Sequence, residues 1–240
     1  MDYYDSHRAF LQAFLANNTL TLSTAKPILA AIFTIHDDRE VLPNDITIED
    51  LNSYISTVNT AISPFDLEIR STFHQQTRER YYSLVNTTSD ALTQLATTYT
   101  TEEIAFVKRV LDAMFDEQNN KGRREAMCVS GMEAVQLAKP AGRRHTQNGG
   151  TQSTSQGLSM RDAEAMMGRL VDEGWFEKSR KGFYSLSPKA LMELKAWLVE
   201  TYNDADEESD DEPPSRKIKF CQACKEIITV VRVSATCTPR

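Results

Sequence analysis

At 240 residues with 40% hydrophobic content, the chain suits two or three small domains, each able to bury a core, better than one large one. Apolar runs nowhere approach the ~20 residues of a bilayer span, and the opening MDYYDSHRAF lacks basic and apolar signal regions, so the expectation is a soluble intracellular protein without a membrane partner. The net charge of −7 is matched by seven acids, with no bases, between Asp204 and Glu212; the rest is balanced, which excludes a strongly basic nucleic-acid binder and leaves only local patches for such contact.

Helices come first. Phe10, Leu11, Phe14 and Leu15 make an apolar stripe at helical spacing, ended by Asn17 and Asn18. A second helix is predicted from Pro27 to Thr34, with Pro27 in its first turn. Thr47 and Asp50 mark the start of a third, in which Ile48, Leu51, Ile55, Val58 and Ile62 keep phase up to Pro64. Leu67, Ile69 and Ser71 then read as a strand, HQQTRER as a polar tip, and Tyr82, Leu84 and Val85 as the returning strand. Phe10, Phe14, Ile28 and Phe33 are expected in the core of this unit.

The pattern then repeats. A short helix is predicted from Asp90 to Thr98, and Thr100 with Glu103 has capping-box spacing ahead of the core stripe Ile104, Val107, Leu111, Met114 and Phe115. Ser130 and Glu133 repeat the box before Met132, Val135 and Leu137. Residues 140–158 are rich in Gly, Gln, Ser and Thr with almost nothing to bury, so disorder is expected there. Ala163, Met166, Met167 and Leu170 give an amphipathic helix that stops at Gly174. Trp175 and Phe176 open a hairpin that turns through Lys178, Ser179, Arg180, Lys181 and Gly182 and returns through Phe183, Tyr184 and Leu186. Ser187 offers a cap and Pro188 opens a helix carrying Leu191, Leu194, Trp197 and Leu198 to about Tyr202. Three helices and a hairpin thus occur twice, a duplication of architecture without one of sequence.

Chemistry gathers near the C-terminus. Of the cysteines Cys128, Cys221, Cys224 and Cys237, three crowd the last twenty residues, a distribution that fits a reducing compartment rather than a disulfide framework. The thiolates of Cys221-x-x-Cys224 are close enough to ligate one tetrahedral zinc, with Phe220, Ile227, Ile228, Val230 and Val231 as strands of a small zinc-supported module. Cys237 follows after twelve intervening residues, as a third ligand in a cross-braced finger would. Cys128, between Met127 and Val129, reads as a small buried hydrophobe. His7, His36, His74 and His145 are scattered, and the absence of HExxH, a Gly-rich phosphate loop or GxSxG gives no support to hydrolysis or nucleotide binding. Basic residues gather at Arg123 and Arg124, at Arg143 and Arg144, and at the second hairpin, where Lys178, Arg180 and Lys181 are the candidates for DNA phosphate contact. In the helix before that hairpin, Arg161 and Arg169 are balanced by Asp162, Glu164, Asp172 and Glu173, which favours protein docking over major-groove reading.

The helix-plus-hairpin units resemble winged-helix domains, in which a helix-turn-helix is extended by a β wing. The expected fold is mainly α with small β hairpins (α+β). Two tandem winged-helix domains at 1–88 and 89–203 are followed by an acidic, Pro-containing linker at 204–217 and an incomplete variant-RING zinc finger at 218–240. In this combination the chain resembles the non-structural maintenance of chromosomes element 1 family, the RING-bearing subunit of the SMC five/six complex. The resemblance is carried by EGWFEKSRKGFYSLSPKAL, similar to the family's second wing and following helix, by KFCQACKEI, similar to the opening of its variant RING, and by MDYYDSHRAFLQAF, similar to a family N-terminus. It implies a nuclear, chromatin-associated protein that pairs with a MAGE-family subunit and a kleisin and acts in DNA repair and recombination. It also implies a RING-type E3 ubiquitin ligase that docks an E2, with zinc as its metal and Cys221, Cys224 and Cys237 as the first three ligands. The rival expectation is a non-enzymatic winged-helix protein that binds DNA or acts as a scaffold.

Overall fold

The computed structural model describes residues 3–87, 98–116, 127–140, 157–203 and 217–230. They form two compact units, Met1–Ser89 with Pro188–Glu193 and Asp90–Ser187 with Leu194–Arg240, each mixing helices with a small antiparallel sheet. No helix among the described residues is long and apolar enough to cross a membrane.

The first unit opens with α1 (Asp5–Ala16), whose first turn is closed by the Tyr4 backbone N–H donating to Nδ1 of His7 at 3.1 Å. Phe10 and Phe14 are buried, but Leu15 is exposed, because it sits 100° round the helix from Phe14 and off the core face. A two-residue strand, β1 (Leu20–Thr21), leads into α2 (Leu22–Asp37). Thr21 caps α2, accepting from Thr24 N while its own N–H donates to Thr24 Oγ1 at 2.8 Å. The pairing of β1 and this cap fix the helix start at Leu22, so Pro27 lies in the second turn rather than the predicted first. After a 3₁₀ turn at Pro43–Asp45 comes α3 (Ile48–Ile62), where Thr47 and Asp50, expected at its start, form a capping box and Asn59 grips the sheet. Asn59 Nδ2 donates to the carbonyl of Ile69 at 3.1 Å, and its Oδ1 accepts from the Ile69 N–H at 2.8 Å. The predicted hairpin is β2 (Leu67–Phe73) and β3 (Arg80–Asn86), in register from Leu67 opposite Asn86 to Phe73 opposite Arg80. Leu20 of β1 pairs with Tyr82, giving the order β1-β3-β2 around a core that includes Phe10, Leu29, Leu51 and Val58.

The second unit repeats this order. It runs α4 (Thr101–Met114), β4 (Cys128–Ser130), α5 (Gly131–Gln136), α6 (Met160–Asp172), β5 (Phe176–Lys178) and β6 (Phe183–Leu186), with strand order β4-β6-β5. The boxes predicted at Thr100/Glu103 and Ser130/Glu133 both form. Met132 is exposed, because α5 is under two turns long and buries Ala134 on its other side. Cys128 is buried as expected. At the end of α6, Gly174 takes φ 77° and the N–H of Trp175 donates to the carbonyl of Leu170 at 2.8 Å, a six-residue closure that only a left-handed residue makes cheaply. The helix predicted at 90–98 lies outside the described residues apart from its last residue, and the expected disorder falls largely on residues 141–156, also outside them.

The flanks of that segment are clasped together. Arg109 of α4 donates from Nε to the carbonyl of Leu137 at 2.8 Å and from Nη2 to that of Ala138 at 3.1 Å, and the N–H of Leu158 donates to the same Ala138 carbonyl at 3.0 Å. Gly157, at φ 69°, packs so tightly that an added Cβ would lie 2.7 Å from Ala138 O and 3.2 Å from Cδ of Pro140.

The helix predicted after Pro188 is two helices, α7 (Pro188–Glu193) and α8 (Lys195–Asn203). The first belongs to the first unit and the second to the second, and each buries apolar residues, Met192 in α7 and Leu198 in α8. Ser187 donates its hydroxyl back to the carbonyl of Gly174 at 2.5 Å. In α7, Glu193 accepts from the backbone of Asn86, while its Oε2 is buried with no hydrogen-bond partner among the described residues, and burial pushes its carboxyl above the ordinary value. A carboxyl with a raised folded pKa contributes stability that is present below the unfolded value and lost as pH rises through the folded one. Glu193→Gln, which keeps the acceptor for Asn86, is therefore expected to raise the first unit's stability by about 1 kcal/mol at neutral pH. Amide exchange of β3 at pH 4 and pH 7.5 checks this: the gain should be present at the higher pH and shrink at the lower.

Candidate functional site

Residues 217–230 form a knuckle built on α8. Ile218 and Ile227 are buried, and Phe220 bridges to Ile227 as one antiparallel pair. The Cys221 N–H donates to the carbonyl of Glu226 at 2.9 Å, Lys225 N–H to that of Cys221 at 2.9 Å, and Ile228 N–H to that of Lys219 at 2.8 Å. Lys225 turns the chain at φ 59°. Of the strands predicted around the cysteines, the described residues form a single bridge, Phe220 with Ile227; Val231 lies outside the described residues.

Cys221 is half-buried and Cys224 exposed, three residues apart on this closed turn. Two thiols so placed fit one half of a tetrahedral zinc site. Among the described residues no group of three His, Cys, Asp or Glu side chains is gathered for a metal, and Cys237 lies outside them.

Lys178, Arg180 and Lys181 come together on the β5–β6 hairpin, all three exposed. Lys178 Nζ lies 5.1 Å from the Tyr184 ring centroid, and Gly182 closes the tip at φ 80° with its N–H on the carbonyl of Ser179. On the neighbouring helix α6, Arg169 pairs with Glu103 at 3.1 Å and Glu173 at 3.6 Å and lies 4.9 Å from the Tyr99 ring centroid. Tyr99 donates its hydroxyl to Glu173, and burial followed by this carboxylate pushes its pKa far up, so it is a structural donor rather than an acid. Arg123, Arg124, Arg143 and Arg144 lie outside the described residues.

The sequence motifs did not reveal Lys195 and Asn203. Lys195 Nζ reaches the carbonyl of Lys225 at 2.9 Å and Glu226 Oε2 at 3.2 Å, and Asn203 exchanges two hydrogen bonds with the backbone of Ile218, at 2.9 and 3.1 Å. Neither belongs to a recognisable pattern, since the contacts span the acidic run.

A family model described as "Nse1 non-SMC component of SMC5-6 complex" matches residues 7–194. The chain belongs to the Nse1 family. Among relatives of this Nse1-family chain are the non-structural maintenance of chromosomes element 1 homologs of Pongo abelii and Homo sapiens, each 20% identical over 233 residues that cover 97% of this chain and 73% of the relative. A chain in a solved "Nse1-Nse3-Nse4 complex" aligns with a TM-score of 0.70 at 18% identity, covering 99% of this chain and 87% of that one, so the two share a fold.

Proposed function

We propose that this chain is the Nse1-type subunit of an SMC5-6 complex, nuclear and chromatin-bound, and that it acts in DNA repair and recombination. On this reading both units are winged helices, with domains near 1–88 and 89–203, that dock a MAGE-type Nse3 subunit and a kleisin-type Nse4. The observation that carries it is the family match over residues 7–194, and the likeness in fold to a chain of an Nse1-Nse3-Nse4 complex supports the choice of partners. The knuckle is then the opening of a variant RING, with Cys221, Cys224 and Cys237 as ligands. Bound zinc would supply the tetrahedral bonds that fold such a finger. A folded RING serves ubiquitin transfer by docking a charged E2 and holding its thioester in a reactive pose, so the cysteines are structural and no residue of this chain attacks covalently.

A second reading, DNA contact by the second hairpin, is favoured by the exposure of Lys178, Arg180 and Lys181 on one tip. One variant separates the two. Changing all three to Ala should leave co-elution with the Nse3-type subunit in size-exclusion chromatography intact, because apolar docking does not need them. Any DNA affinity should fall, and its dependence on log salt should lose up to ~2.7 in slope, about 0.9 per lost phosphate contact. Failure of the unmodified chain to co-elute would remove the docking reading; an unchanged salt slope in the variant would remove the hairpin.

A further inference from the structure

We infer that Lys195 and Asn203 are positioning residues that hold the Cys221–Cys224 turn in its closed shape against α8, which rests on the reading of these two cysteines as zinc ligands. The geometry brings four contacts to the entry and to the turn of one fourteen-residue stretch. At its entry, Asn203 takes both backbone groups of Ile218, accepting its N–H at 2.9 Å and donating to its carbonyl at 3.1 Å. At the turn itself, Lys195 donates to the carbonyl of Lys225 at 2.9 Å and pairs with Glu226 at 3.2 Å. Its ammonium also lies 6.0 Å from the centroid of Phe220, the residue before the first cysteine.

Each contact has a physical consequence for the thiols. Lys225 is in the left-handed region, which costs a non-glycine residue roughly 1 kcal/mol, and the bond from Lys195 to its carbonyl stabilises the turn in that geometry. Glu226 is the residue whose carbonyl accepts the Cys221 N–H, so fixing it fixes the first cysteine. The asparagine fork is the device that holds β2 on α3 in the first unit, where Asn59 takes both backbone groups of Ile69. In both places an amide side chain replaces a missing strand neighbour for a buried isoleucine, satisfying groups that would otherwise lose their bonds to water. The knuckle is therefore an extension of α8, with its thiol pair set before any metal arrives. Such preorganisation of ligands by outer contacts commonly changes metal affinity by about 10–100-fold.

The test uses the full 240-residue chain with Asn203→Ala and, separately, Lys195→Met, which keeps the aliphatic stem without the donors. Amide exchange at Cys221, Lys225 and Ile228 should accelerate about tenfold or more in each variant, while the amides of β6 keep their rates. Cobalt(II), followed through its thiolate charge-transfer absorption, should bind about tenfold more weakly. Unchanged knuckle exchange in both variants overturns the inference. Faster exchange with unchanged cobalt affinity also overturns it, because the contacts would then be structural only. If the unmodified chain takes up no cobalt, the zinc reading fails by itself, and the exchange rates alone decide whether the two residues hold the turn.

Discussion

Phe10→Ala is expected to cost the first unit about 3–5 kcal/mol, the range for emptying a buried aromatic site. Phe10 is completely buried and meets Phe14 and Tyr54 edge-on, at centroid distances of 5.2 and 5.9 Å, in contact with the same core as Leu29, Leu51 and Val58. Three helices close around it, so little movement can fill the space it leaves, and two edge-to-face pairs are lost with the apolar area. The readout is amide exchange at Tyr82 and Val85 of β3, whose backbone opens only with this core. It should accelerate between about a hundredfold and a few thousandfold. A rise under tenfold would mean that the neighbours collapse into the site.

Arg109→Met should destabilise the second unit by about 2–4 kcal/mol. The guanidinium serves two carbonyls at the end of α5, each through a charge-assisted bond worth about 1.5–3 kcal/mol when desolvated, and partial exposure of the group lowers the sum. Burial lowers its pKa from the ordinary value; since a guanidinium stays protonated in proteins, the effect should not vary with pH between 5 and 9. Methionine keeps much of the stem and offers no donor. Both tryptophans, Trp175 and Trp197, lie in the second unit, so the midpoint of a denaturant titration read by their fluorescence reports this loss directly. Lys in place of Arg should recover less than half of it, since one ammonium cannot span both carbonyls in the fork geometry.

Much of this arrangement is legible in the sequence where local chemistry decides it. The capping pairs at Thr47/Asp50, Thr100/Glu103 and Ser130/Glu133, the glycine stop at Gly174 and both hairpins follow from residues within a turn of one another. What escaped depends on distant partners. β1 and β4 are two and three residues long and exist only because β3 and β6 offer an edge, so no alternation could announce them. The break at Leu194 coincides with the change from one unit to the other, which is invisible in a stripe that continues through both. At the candidate site the cysteines were found by spacing, whereas Lys195 and Asn203 were not, because their partners lie beyond the acidic run and are backbone groups that any sequence carries.

The clasp between Ala138 and Leu158 has a consequence for divergence. Pro140 and Gly157 stand side by side, so whatever the chain does between them, it leaves and returns at one point, and the spacing of α5 and α6 is indifferent to the length of the excursion. Closing a loop costs only ~0.6 kcal/mol more for each doubling of its length. Residues 141–156 are thus a place where relatives sharing this fold can drift in length and composition, or acquire a new recognition sequence, while selection acts on the clasp alone.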